Sequence, residues 1–349
     1  MLKRMECGSY CNGHVAKGCE HCINGSKMVL FVTGKCKWGC FYCPVSLEKK
    51  GRDVMYANEG QVTTDEEILA EAESMDATGT GITGGDPLLM VDRTVHMIRM
   101  LKEHFGKDHH IHLYTATMDP EKVAMVEEAG LDEIRFHPPV PMWSHMQDTC
   151  LEDIVKATKM DIGIEVPAIP GMEEELCQLV SYAHSIGMNF VNLNELEFSE
   201  SNWDMMESQG YEVRDDISSA ILGSEDTAMY VMKKNRRANV HFCASSFKDG
   251  VQLRKRLIRR AQHICTDYQA VTDDGTLVRG YVYAQDTEKA RGELLELGVP
   301  EDMMAALPGK MEVAPWILED VAEQLRYKCY ISEQYPTVDG LEVERTPLN

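Results

Sequence analysis

Short apolar runs alternate with segments of helical periodicity along most of the chain. The runs read as strands at residues 28–33, 79–83, 111–115, 133–137, 161–166, 190–193 and 239–242. Between them, helical spacing covers 91–105, 120–129, 151–158, 172–186 and 247–264, and Thr64-Asp65-Glu66-Glu67 has the pattern of a capping box that opens a further helix. Strand–helix alternation is the mark of a parallel sheet with crossover helices, and these units predict a partial (β/α)6 barrel. Past Cys265 the rhythm changes. The turn Asp273-Asp274-Gly275 separates two strand-like runs, a helix follows at 287–297, and then a strand (310–313), a helix (315–325), a strand (327–332), the turn Asp339-Gly340 and a strand (341–344). The predicted organisation is a Cys-rich extension over 1–26, the β/α barrel over 27–264 and a small α+β domain over 265–349.

Composition narrows the field. The 349 residues are 44% hydrophobic, enough for a substantial core, and the formal charge of −22 opposes non-specific adhesion to nucleic acid or anionic lipid. Apolar runs of about five residues fall far short of the roughly 20 a membrane helix needs, and the N-terminus lacks an apolar signal region, so a cytoplasmic protein without a membrane partner is expected. One segment breaks the acidic trend: residues 233–260 hold ten Lys/Arg against the single acid Asp249. Like-charge pairs such as Lys255/Arg259 and Arg256/Arg260 oppose helix formation unless neutralised. Two readings stand, a phosphate-binding face for RNA and an outer helix paired with acids of the same chain.

The candidate chemistry lies near the N-terminus, where seven of the twelve cysteines fall within the first 43 residues. Cys36-Lys37-Trp38-Gly39-Cys40-Phe41-Tyr42-Cys43 follows the first predicted strand. Three thiolates at this spacing can hold a [4Fe–4S] cluster with one iron open to a non-protein ligand, or take part in a zinc site with a distant histidine. Gly79-Thr80-Gly81-Ile82-Thr83-Gly84-Gly85-Asp86-Pro87 places a Gly-Gly-Asp-Pro turn after the second strand, on the same rim of the barrel.

Together these residues resemble the radical S-adenosylmethionine (radical SAM) superfamily. Within it, Phe31-Val32-Thr33-Gly34, Phe41-Tyr42-Cys43-Pro44 and 81–88 are similar to an archaeal group related to the activating enzymes of pyruvate formate-lyase. The resemblance implies that Cys36, Cys40 and Cys43 ligate the cluster, that Tyr42 lies near the adenine, and that Gly84, Gly85 and Asp86 hold the methionyl amino group of S-adenosylmethionine. Asp86 stands where the family usually has Glu. It further implies an external one-electron reductant of ferredoxin or flavodoxin type and hydrogen abstraction from a substrate, with RNA and protein both open. The competing reading is a non-catalytic iron–sulfur electron carrier, which would need a fourth thiolate at the cluster.

Strand ends on the same rim offer further candidates: Tyr114, Thr115, Thr117, Arg135, His137, Glu165, Asn192, Asn194 and Glu195. Thr115, Glu165 and Asn192 are the expected cofactor contacts, and Ala168-Ile169-Pro170-Gly171 resembles the family's adenine-flanking turn. Cys7, Cys11, Cys19 and Cys22 supply four more thiolates, with His14 and His21 as substitutes for one of them, for zinc or a second iron–sulfur cluster. Cys243, ending the last barrel strand, reads either as a buried small residue or as an active-site thiol.

Overall fold

The computed structural model describes residues 2–215 and 218–349, which divide into two compact units, 1–73 with 77–253, and 74–76 with 254–349. Among the described residues no helix is long and apolar enough to cross a membrane.

The first unit is built on an eleven-stranded sheet. Its strands are β1 (Leu2–Arg4), β2 (Tyr10–Asn12), β3 (Lys27–Phe31), β4 (Met55–Ala57), β5 (Gly60–Val62), β6 (Gly79–Thr83), β7 (His110–Thr115), β8 (Glu133–Phe136), β9 (Asp161–Ala168), β10 (Phe190–Glu195) and β11 (Val240–Cys243). The order is β1-β2-β11-β10-β9-β8-β7-β6-β3-β4-β5, with β3 and β6 to β11 parallel and an antiparallel hairpin added at each end. The seven strands read from the sequence are these parallel strands, each within two residues of its expected bounds. The helices are α1 (Lys17–Ile23), α2 (Asp65–Ser74), α3 (Val91–Phe105), α4 (Pro120–Glu128), α5 (Leu151–Ala157), α6 (Glu173–Ser185), α7 (Trp203–Ser208), α8 (Ser224–Lys234) and the single turn α9 (Ser245–Phe247).

Alternation on the strands explains the layering. On β7, Ile111 and Leu113 are fully buried apolar residues, while His110, His112 and Tyr114 share the other face and touch ring to ring. Residues 2–26 lie within this unit. Cys11 pairs with His241 where β2 runs antiparallel to β11, and α1 packs against the polar strand face. The Gly18 amide donates to Glu133 Oε2 at 2.9 Å, and a Cβ at Gly18 would stand 2.6 Å from both Arg135 Nη2 and His112 Nδ1. Glycine is what permits that approach. Gly18→Ala is therefore expected to destabilise the protein by about 1–3 kcal/mol in urea unfolding, the usual range for overpacking a tight interior.

The helix expected over 247–264 is interrupted: α9 runs into a π-helical turn at Lys248–Leu253 before α10 (Arg254–Ile264) begins in the second unit. Gly250 lies in the π turn, where the helix is least supported by side-chain propensity. The second unit adds β12 (Ala270–Val271), β13 (Leu277–Tyr283), α11 (Thr287–Glu296), β14 (Met304–Leu307), β15 (Lys310–Val313), α12 (Pro315–Val321), β16 (Cys329–Gln334) and β17 (Glu342–Pro347). Its antiparallel sheet runs β14-β15-β13-β16-β17 with β12 beside β13, over a core of Val282, Leu294, Met311, Val313 and Leu318. The basic stretch is partly tied down there. Arg254 binds Asp274, Arg259 binds Asp76 and the carbonyls of Met75 and Asp76, and the buried Arg260 binds Ser74 and the Pro336 carbonyl. These contacts favour the paired-helix reading over a free phosphate-binding face.

Candidate active site

The sheet ends at Phe31, and the chain leaves it through Val32, Thr33 and Gly34 into a long loop that returns at Arg52 and Asp53. Two backbone bonds close the base of that loop, Gly34 N to Arg52 O and Gly51 N to Gly34 O, both 2.8 Å. Asp53 clamps it further by accepting from Thr33 Oγ1 (3.0 Å) and from Arg93 Nη1 (2.7 Å) and Nη2 (3.2 Å), while Arg93 Nη1 also donates to Val32 O (2.9 Å). The Arg93 hydrogen bonds hold the Asp53 carboxyl down to about 2. Cys36, Cys40 and Cys43 sit in this clamped loop. Cys36 is exposed and the other two are half-buried. Asn202 Nδ2 donates to Tyr42 O (3.1 Å) and Ser201 Oγ to Cys43 O (3.0 Å), so the residues just before α7 fix the loop's far end.

The Gly-Gly-Asp-Pro turn meets this loop backbone to backbone. Gly85 N donates to Thr33 O (2.7 Å) and Asp86 N to Lys35 O (2.8 Å). A Cβ on Gly84 would lie 2.5 Å from Thr33 O, and one on Gly85 would collide with the Lys35 carbonyl. Both glycines are thus required for the crossing. The buried Asp86 carboxylate accepts from Thr115 Oγ1 (2.6 Å), Thr117 Oγ1 (2.7 Å) and Leu88 N (3.2 Å), tying the end of β6 to the end of β7. Two of the rim candidates, Thr115 and Thr117, are placed by this bond.

Tyr42 joins the loop to the next two strands. His137 Nδ1 lies 2.7 Å from the Glu165 carbonyl and Nε2 lies 3.0 Å from Tyr42 Oη. A carbonyl can only accept, so Nδ1 carries the proton and Nε2 accepts from the Tyr42 hydroxyl. Burial lowers the His137 pKa, which keeps the ring in this neutral form.

Deeper on the same face lies a charged network. Arg135, fully buried, donates to Glu133 Oε1 (2.5 Å), Glu165 Oε2 (2.7 Å) and Tyr114 Oη (3.2 Å). Asn192 Nδ2 and Asn194 Nδ2 donate to Glu165 at 2.8 and 2.9 Å. Burial alone would raise Glu165, but Arg135 and the two amides outweigh it and hold the carboxyl at about 2. Tyr114, Arg135, Glu165, Asn192 and Asn194 are therefore one unit. Glu195 is elsewhere: it binds Arg214 (2.5 Å) and the Ser245 amide (2.7 Å).

The remaining cysteines are spread over several elements. Cys7 is exposed in a turn with φ 45°, Cys11 is buried on β2, and Cys19 and Cys22 lie on α1. The Cys19 thiol, pushed up to about 11 by burial, accepts from Asn192 Nδ2 (3.3 Å) and Arg135 Nη2 (3.5 Å). His14 bonds Asn239, and His21 bonds Ser26 and Thr78. Cys243 is buried beside Gln252 Nε2 (3.5 Å), its thiol raised by burial to about 12. Among the described residues no three Cys, His, Asp or Glu side chains stand in metal-holding geometry, so what separates the two cysteine sets is their surroundings. The triplet shares one clamped loop, whereas the other four come from a turn, a strand and a helix.

Residues 30–139 match the radical SAM superfamily, and residues 275–348 match a domain of unknown function. A protein of Methanocaldococcus jannaschii, provisionally named a glycyl-radical enzyme activating enzyme, is 40% identical over 95% of this chain and 92% of its own length. The chain belongs to the radical SAM superfamily. Among solved structures, Streptococcus suis SuiB bound to the precursor peptide SuiA aligns with a TM-score of 0.41 at 12% identity, over 72% of this chain and 58% of SuiB. The hydrogenase maturase HydG of Carboxydothermus hydrogenoformans aligns with 0.42 at 13%, over 60% and 50%. As a radical SAM enzyme the chain is not the simple electron carrier that the cysteines alone left open.

For this radical SAM enzyme the triplet fits an iron–sulfur cluster by donor chemistry: three soft thiolates on one loop, reachable from solvent, with no disulfide among them. Three supports of the site escaped the sequence reading, namely Asp53 with Arg93, Ser201 with Asn202, and Glu133. Glu133 had a signal. It lies two positions before Arg135 on one strand, hence on the same face.

Proposed function

We propose that the enzyme holds a [4Fe–4S] cluster on Cys36, Cys40 and Cys43 and binds S-adenosylmethionine along the adjoining rim, for hydrogen abstraction from a protein substrate. When bound, the two cofactors supply one-electron cleavage of the sulfonium and a 5′-deoxyadenosyl radical. The backbone crossing of the cysteine loop by Gly84, Gly85 and Asp86 supports this reading, because the turn that would hold the amino group is bonded directly to the loop that carries the three cysteines. Tyr42, oriented by His137, would flank the adenine together with the turn at Ile169. Buried Asn192 Oδ1 has no hydrogen-bond partner among the described residues and would accept from a ligand hydroxyl, beside Glu165. A glycyl-radical enzyme is the protein substrate favoured, from the name of the M. jannaschii relative, over RNA, for which the tied-down basic helix gives little support. An external reductant of ferredoxin or flavodoxin type completes the cycle. The auxiliary zinc or cluster at Cys7, Cys11, Cys19 and Cys22 is not part of this proposal.

Anaerobic reconstitution with iron and sulfide, followed by reduction and addition of S-adenosylmethionine, tests it. Stoichiometric or catalytic 5′-deoxyadenosine is the expected product. A reconstituted, reduced protein that leaves S-adenosylmethionine intact would refute the reading.

A further inference from the structure

We propose that the outer rim of the cysteine loop is a docking surface for an acidic one-electron carrier protein. The inference rests on the cluster assignment above and adds to it the partner's surface chemistry. In a chain with 57 acids and 35 bases, residues 34–53 hold five bases (Lys35, Lys37, Lys49, Lys50 and Arg52) and two acids, Glu48 and Asp53. Asp53 is neutralised by Arg93 and Lys35. Lys49 turns inward over the Tyr56 ring at 3.9 Å and Lys35 pairs with Asp53, whereas Lys37, Lys50 and Arg52 are exposed, as is Glu48. The loop is thus net positive in a chain that is net negative.

Two large apolar side chains stand within that loop, Trp38 at 46% and Leu47 at 58% exposure. An exposed aromatic with charged residues beside it on the chain is the kind of anchor that protein interfaces use. Cys36 is itself exposed between Lys35 and Lys37, so a carrier seated here would bring its redox group to the ligating thiolates without crossing the protein. The charge sign selects the partner. An acidic carrier is attracted to the basic side chains of this loop, and contact here, unlike contact with the basic stretch at 233–260, sets it beside Cys36.

The probe is an acidic plant-type ferredoxin. Its binding to the purified chain, in the oxidised form, is measured by biolayer interferometry at about 20 and about 400 mM salt, where the screening length differs several-fold. We expect affinity to fall at least about tenfold with salt, and Lys37→Glu/Lys50→Glu to cause a similar loss at low salt, whereas Lys37→Arg/Lys50→Arg keeps it. Circular dichroism melting should be the same for all three proteins. In the reconstituted enzyme, the charge reversal should slow ferredoxin-driven 5′-deoxyadenosine formation and leave the rate with reduced methyl viologen unchanged. Salt-independent binding, an unaffected reversal variant, or equal losses with both reductants would overturn the proposal. Displacement of the ferredoxin by a single-stranded RNA oligomer at lower concentration would also overturn it, in favour of a nucleic-acid surface. If viologen drives no cleavage in the wild type while salt-sensitive ferredoxin binding persists, the cofactor assignment fails and the docking surface stands.

Discussion

Cys40→Ser is expected to remove both the reconstituted iron and 5′-deoxyadenosine formation, with Cys36→Ser and Cys43→Ser behaving alike. Each thiol is one of three on a loop whose base is locked by Gly34, Arg52 and Asp53, so no other cysteine can swing into a vacated position. Loss of outer-shell partners at metal sites costs about 10–100-fold, and loss of a direct ligand should exceed that. Iron and sulfide analysis beside the product assay separates ligand loss from a catalytic defect. Cys7→Ser and Cys22→Ser are the controls: they lie outside the loop and should keep the triplet's iron and the activity. A Cys40→Ser protein with wild-type iron content and turnover would overturn the assignment.

Arg135→Met should have the largest effect on stability. Arg135 is nearly inaccessible and neutralises Glu133 and Glu165, which are 0% and 13% exposed in their side chains. Removing one partner of a buried ion pair leaves an uncompensated charge and typically costs about 3–5 kcal/mol. The loss should also depend on pH. In the native protein Glu165 stays ionised down to about 2, well below an ordinary glutamate near 4.5. Its contribution is therefore fully present above about pH 4.5 and disappears as pH falls toward 2. Without Arg135 the burial that remains favours the protonated acid, so the variant should be less destabilised at pH 4 than at pH 7. Urea unfolding of both proteins at the two pH values measures this, and equal differences at pH 4 and 7 would contradict it.

The parallel core and the cysteine loop were legible because both follow local rules. Period-two alternation on runs such as 111–115 shows a strand regardless of its neighbours, and a glycine pair before an acid marks a tight crossing. Register was not legible. That Arg135, Glu165 and Asn192 form one unit depends on which residues of β8, β9 and β10 stand side by side, and each had been read separately at its own strand end. Three-residue strands such as β1, β2, β4 and β5 are too short for any period to show. Helix α8 was missed because its start depends on Gly223 at φ 86°, a backbone conformation that no local period shows.

The pairing of β2 with β11 has a consequence for how the protein is made. Tyr10 and Phe242 are partners in the sheet yet lie about 230 residues apart, so at roughly 5–20 residues per second the first strand waits on the order of 10–50 seconds for its mate. During that interval Cys7, Cys11, Cys19 and Cys22 have left the ribosome without the strand edge that later covers Cys11 or the Arg135 and Asn192 contacts that later engage Cys19. Cys11 and Cys19 are therefore open to oxidation on the nascent chain and covered once the sheet closes, so the yield of intact protein should depend on how reducing the cell is during synthesis.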